Sequence, residues 1–121
     1  RAGALRLPGA TRTAWYRFGS APGEPGSTVI AGHVDLAGAP GAFRRLGELD
    51  PGELVVVRTA DGRAHRYRVV ARREYAKERL PARVWTRAGR PVLTLVTCGG
   101  DYDERARSYA ANTVVYAVAA G

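Results

Sequence analysis

The chain has 121 residues, 45% hydrophobic and 25% charged, with 19 basic against 11 acidic side chains and a net charge of +8. That length suffices for one core and not for two, and no stretch approaches the ~20 consecutive apolar residues of a membrane span. Cys98 is the only cysteine, which excludes an internal disulfide, and Lys77 is the only lysine, so the positive charge is nearly all arginine. Such a balance favours anionic surroundings. The arginines are scattered over strands and turns, however, and no aromatic-plus-basic module of a nucleic-acid binder is present. Nucleic acid is therefore not expected as a partner.

Arg1 to Arg12 holds one short apolar patch, Leu5 and Leu7, between Gly3 and Pro8-Gly9, and reads as an edge strand or an arm. Thr13 to Phe18 is aromatic-rich, a short strand or packed turn, and Ser20 to Ser27 is a Pro/Gly loop. Thr28-Val-Ile-Ala-Gly-His reads as a buried strand that delivers His33 at its end. A Gly/Pro-rich loop follows from Leu36 to Gly41. Phe43, Leu46 and Leu49 then recur at helical spacing, which predicts a short helical piece over 42–49. Asp50-Pro-Gly-Glu fits a type II turn. Leu54 to Thr59, Asp61-Gly62 and Arg63 to Val70 make a β-hairpin with Asp-Gly as its turn. Ala71 to Leu80 is charged and reads as a linker, with further strand as the alternative. Pro81 opens a short helix through Arg87, with Val84 and Trp85 turned inward.

Arg90 to Gly100 is the segment around which the rest is organised. Val92 to Val96 carry no charge and no alternation, the pattern of a strand buried on both faces. Gly99 and Gly100 are expected to stop that strand and leave the Cys98 thiol at its rim. A polar loop, Asp101 to Ala111, leads to a last strand from Asn112 to Ala120. The whole reads as a mainly β chain of about six to eight strands with one or two short helices, a closed barrel or a sandwich.

A thiol on a rigid strand end is how a nucleophile is presented, although a lone cysteine after an apolar run is more often a small buried hydrophobe. A thiolate needs a partner that also protonates the leaving group, and the chain has two imidazoles. His65, inside the hairpin strand among arginines, reads as a surface or cross-strand residue. His33 is the better candidate, with an ordinary turn residue as the equal alternative. Arg107 lies just before a strand expected beside that of Cys98, where a guanidinium could supply donors to an oxyanion; a surface arginine is the alternative. Asp101, Asp103 and Glu104 read as a solvated acidic turn. No metal-ligand spacing, phosphate-cradling loop or dinucleotide motif is found, so no metal and no cofactor are expected.

Three segments carry a resemblance. Thr94-Leu-Val-Thr-Cys resembles the TLxTC motif of sortases, the cysteine transpeptidases of Gram-positive cell surfaces. Ala31-Gly-His-Val-Asp resembles that family's histidine motif, and the segment from Arg105 to Ala117 resembles the one bearing its essential arginine. Trp15-Tyr-Arg and Thr97-Cys-Gly-Gly-Asp-Tyr-Asp are most similar to class F sortases of actinobacteria. The resemblance implies catalytic roles for His33, Cys98 and Arg107, with Arg105 as the alternative arginine, and for Thr97 a part in orienting substrate or arginine. It implies a sortase-like closed β-barrel of about seven to eight strands. Residues 1–121 are expected to form a single catalytic domain, without the family's first strand or its N-terminal membrane anchor. The membrane is expected to be reached only through that anchor. The implied activity is cleavage of an LPXTG-like sorting signal between Thr and Gly through a Cys98 thioester. The product then passes to an amine of a peptidoglycan precursor, at the cell surface. The alternatives are a cysteine peptidase hydrolysing the same signal and a non-catalytic basic β-barrel that binds cell-wall polyanion.

Overall fold

The apolar run before Cys98 lacks alternation because both faces of its strand are covered. The structure, a computed structural model, describes residues 13–16, 18–32, 35–36, 39–40, 43, 45–76, 80–103 and 108–120, with the segments 98–103 and 108–111 described by backbone path. Eight strands follow in order: β1 (Thr13–Trp15), β2 (Gly26–Gly32), β3 (Asp35–Leu36), β4 (Ala39–Pro40), β5 (Leu54–Arg58), β6 (Ala64–Ala76), β7 (Pro91–Asp103) and β8 (Ser108–Ala119). Two single-turn 3-10 helices, η1 (Leu46–Glu48) and η2 (Ala82–Trp85), fall where the two helical pieces were expected.

Six strands form one sheet in the order β1-β2-β7-β8-β6-β5, and β3 pairs with β4 as a separate ribbon. The sheet curls into a half-barrel, so the mainly β class holds while closure is partial. All pairings in the large sheet are antiparallel except that of β2 with β7, which runs parallel from Gly26 opposite Pro91 to Ala31 opposite Val96. Successive side chains of a strand alternate between faces, and β7 divides accordingly. Leu93 and Leu95 join Val115, Ala117, Tyr67, Val69 and Leu46 on one face. Val96 joins Val29, Val84, Val114 and Tyr116 on the other, with Val92 packed against them.

Four sequence expectations need correction. Ala71 to Ala76 is not a linker but the second half of β6, paired with β8 from Tyr116 to Ala111. Its charges misled because Arg72 and Arg73 point along solvent-facing paths while Ala71 and Tyr75 pack against the core. A register irregularity between Val69 and Ala71 lets one strand serve both arrangements. Gly99 and Gly100 do not end β7, which continues to Asp103; they accompany a register irregularity between Gly99 and Tyr102 instead. For the same reason the segment after Cys98 is not wholly a loop, since Ser108 to Ala111 already pair with β7. The stretch 36–41 includes the short strands β3 and β4 as well as loop.

The connection from β6 to β7 is fastened to the sheet at both ends. Gly26 at the start of β2 has φ +92°, and a Cβ there would stand 2.5 Å from the Arg87 backbone. The contact lets Ser27 donate its N–H to the Thr86 carbonyl at 2.8 Å. In η2, Val84 is fully buried, which stabilises the turn by roughly 1.5–3 kcal/mol. Trp85 meets Tyr16 edge-on at 5.0 Å between centroids. Arg83 donates to the Tyr75 hydroxyl at 3.0 Å and lies over the Tyr116 ring at 4.7 Å, and the two phenol oxygens are 3.0 Å apart.

Burial, then the hydrogen bond to Tyr75, pushes the Tyr116 phenol up to about 12. Burial opposes ionisation of Tyr75 as well, but the bonds from Tyr116 and Arg83 and the nearby guanidinium charges outweigh it and hold that phenol below its ordinary value. Because folded Tyr116 keeps its proton where the unfolded chain releases it, stability falls as pH rises from about 10 towards 12. Ultraviolet difference titration of the protein against Tyr116→Phe is expected to show a phenol titrating near 12. A difference centred at the ordinary tyrosine value would contradict the described cluster.

Candidate functional site

Cys98 lies in β7 opposite Asn112 of β8, directly after the buried Thr97. The parallel ladder determines what stands beside it. Ala31 is level with Val96, so the next residue of β2, Gly32, comes level with Thr97. Thr97, 4% exposed, donates its hydroxyl proton to the Gly32 carbonyl and clasps β7 to the end of β2. On its other side Gly32 pairs with Thr13 of β1. The Phe43 ring covers it so closely that a Cβ at Gly32 would be 3.0 Å from the ring. Any larger residue there would press on the ring, so it is this approach and not a positive φ that favours glycine.

The end of β2 is therefore held from three directions at the level of the residue before Cys98. In the chain Gly32 is followed directly by His33, which lies outside the described residues, as do Arg105 and Arg107. The residue after Arg107 is described: Ser108 begins β8 opposite Asp103, at the same end of the sheet.

Thr97 was expected to help orient substrate or arginine. Its one hydroxyl proton is committed to Gly32, so what it orients directly is the end of β2. Phe43 was read from its spacing only as part of a helical piece capping the core. Its contact with Gly32 has no local signal, because ten residues of chain and the β3–β4 ribbon intervene.

His65 is placed far from this end. It pairs with Val57 in the hairpin, and its ring nitrogen Nε2 is 3.5 Å from the Thr59 hydroxyl. Two residues on, Tyr67 is level with Ala119 of β8, whereas Cys98 is level with Asn112. Seven residues of strand separate those levels, ~23 Å at ~3.3 Å per residue. The hairpin histidine lies towards the opposite end of the sheet, across from Val57 in the hairpin where the sequence placed it.

Chemically, this end of the sheet offers a thiol-bearing residue on one strand and, on the parallel neighbour, a rigidly held residue whose successor is an imidazole.

Comparison with known proteins agrees with the fold. A family model, the Sortase domain, matches residues 4–120. Among solved structures, a SrtA sortase from Actinomyces oris superposes with a TM-score of 0.72 at 24% identity, over 91% of this chain and 62% of that one. Sortase A from Corynebacterium diphtheriae gives a TM-score of 0.69 at 22% identity, over 85% of this chain and 45% of that one. A Clostridium perfringens Sortase D5 transpeptidase gives 0.67 at 19% identity, over 88% and 61% respectively. The chain thus spans less than two thirds of the length of these structures. No curated protein matches it.

The clasp between Thr97 and Gly32 can be tested by itself. Thr97→Val keeps the shape but leaves a buried carbonyl without this donor, which is expected to cost about 1–3 kcal/mol in urea denaturation. Thr97→Ser should recover most of that loss. Equal stability of all three proteins would contradict the bond.

Proposed function

From the chain's membership of the sortase family, we propose that it is a cysteine transpeptidase of the class F type that cleaves an LPXTG-like sorting signal between Thr and Gly. Residues 1–121 are read as its catalytic domain, acting at the surface of a Gram-positive cell. Among the described residues no helix is long and apolar enough to cross a membrane, so attachment there rests on an anchor inferred from the family.

The observation that carries the reading is the in-register parallel pairing of β2 with β7. Two chain segments that resemble a nucleophile motif and a histidine motif run in the same direction side by side. Their described parts, up to Gly32 and Thr97, consequently run towards the same end of the sheet. An antiparallel pairing would have put them at opposite ends.

The proposed chemistry starts with the Cys98 thiolate attacking the Thr carbonyl carbon. The carbonyl π pair moves to oxygen, and Arg107 stabilises the resulting oxyanion with directed N–H donors. Collapse of that intermediate breaks the C–N bond, and His33, protonated, transfers its proton to the departing glycine amine. A thioester on Cys98 remains. An amine of a peptidoglycan precursor then attacks the thioester carbonyl and gives its proton to neutral His33. Breaking the C–S bond releases the transferred product and restores the thiolate. No metal or cofactor is required by these steps.

Incubation with an LPXTG peptide, with and without added amine, is the direct test. The expected products are the amide when amine is present and slow hydrolysis when it is not. Hydrolysis unaffected by amine would make the protein a peptidase, and no cleavage of any such peptide would overturn the reading. Within the same assay His33→Ala and Arg107→Ala are each expected to lower the rate by roughly 10²–10³. Arg107→Lys should fall nearly as far as Arg107→Ala, since lysine keeps the charge without the fork. His65→Ala and Arg105→Ala should change little, and an inactive Arg105→Ala would move the arginine assignment by two residues.

A further inference from the structure

On the face of the sheet that carries η2, a groove of about 340 Å³ opens between β6, β7, β8 and the chain leading into β7. Its lining divides sharply by chemistry. Val70, Val92, Val118 and the Tyr116 side chain give it an apolar wall. Among the described residues, the charged side chains that line it are Arg73, Arg83 and Arg90. Ser27 and Thr94 also contribute, but their hydroxyls are bonded to each other at 2.6 Å and offer little to a ligand.

Three guanidiniums around one concavity repel each other unless a negative group lies among them. The described residues supply none. Their ion pairs are Arg45 with Glu48, Arg63 with Asp61, and Arg72 with Asp50, all elsewhere. Arg73 donates one bond, to the Arg72 carbonyl, while Arg83 is held by the phenols of Tyr75 and Tyr116. Among the described residues, most of the five donors of Arg73 and of Arg90 meet no hydrogen-bond acceptor. The bulged residue of β6, Val70, is 49% exposed and adds an uncovered apolar surface next to them.

We propose that this groove is a binding site for an acidic, partly apolar segment of peptide, separate from the Cys98 end of the sheet. Charge complementarity identifies the acidic component, because arginine presents its fork to carboxylates in pairs of parallel bonds. The apolar wall identifies the other component. An extended peptide alternates its side chains, so acidic residues can reach the arginine rim while their neighbours lie against Val70, Val92 and Val118. A polyphosphate or a sugar-phosphate polymer has nothing to put on that wall. An anionic bilayer is flat and cannot reach into a concave floor. Stacked nucleobases would need a free aromatic face, and the ring of Tyr116, the groove's one aromatic residue, is already covered by Arg83.

The site is independent of the transpeptidase reading, and its test does not depend on turnover. Fluorescence anisotropy is measured with a labelled peptide alternating Glu and Val, and with two relatives that carry Gln for Glu or Ser for Val. The Glu/Val peptide is expected to bind about tenfold or more tightly than either relative, as one well-made contact is worth. Arg73→Gln and Arg90→Gln should each weaken it several-fold, while Arg58→Gln, the same loss of charge on the distant strand β5, should not. Arg83 is left unaltered because its replacement would also release Tyr75 and Tyr116. Equal binding of the Glu/Val and Glu/Ser peptides would overturn the proposal by showing a general anion surface. So would equal losses from Arg58→Gln and Arg90→Gln, or stronger competition by polyphosphate or phosphatidylglycerol vesicles than by unlabelled Glu/Val peptide.

Discussion

Everything at the candidate site depends on the six-residue parallel ladder between β2 and β7. Parallel pairing is slightly weaker per residue than antiparallel and requires a long connection between the strands. Here 58 residues separate Gly32 from Pro91, and they include the β5–β6 hairpin, η1 and η2. The ladder is secured at both ends by contacts that leave little freedom. At its start Gly26 approaches the Arg87 backbone, and Ser27 bonds to Thr86. At its finish Thr97 bonds to Gly32 beneath the Phe43 ring. A one-residue slip would turn every side chain of β2 to the wrong face and break both fastenings together.

Two-sided burial follows from the same central position. β7 lies between β2 and β8 and carries core residues on both faces. Such a strand has little freedom to shift, which suits a residue that must meet groups from other strands. The outer strands differ. β5 leaves Leu54 and Val56 about two-fifths exposed, and β6 changes face through an irregularity near Val70. Rigidity is concentrated around the Cys98 strand, while the open groove lies towards the periphery.

Local chemistry was legible wherever it was carried by a short stretch of residues. The apolar run before Cys98, the turn at Asp50 to Glu53 and the hairpin at Asp61-Gly62 all appear where the sequence placed them. Gly52 and Gly62 adopt the positive φ values those turns require. The charged half of β6 was harder, because Arg72, Arg73 and Glu74 look like linker until Ala71 and Tyr75 are seen to pack inward. The glycine pair after Cys98 can equally end a strand or disturb its register, and only the pairing with β8 decides between them. The parallel partnership of β2 and β7 had no local signal at all. Nor did the arginine-rimmed groove, whose three guanidiniums come from β6, η2 and the residue before β7. The roles proposed for His33, Cys98 and Arg107 rest on motifs, and the described residues next to them in the chain are Gly32, Thr97 and Ser108.

The central claim is that Cys98 is a nucleophile. Intact-mass analysis of the protein mixed with an LPXTG peptide, in the absence of amine and quenched in acid, addresses it most directly. The account predicts a protein heavier by the acyl portion of the peptide, with the added mass on the fragment containing Cys98 and lost again when an amine is supplied. Full turnover with Cys98 never modified, or with Cys98→Ala retaining its rate, would contradict it.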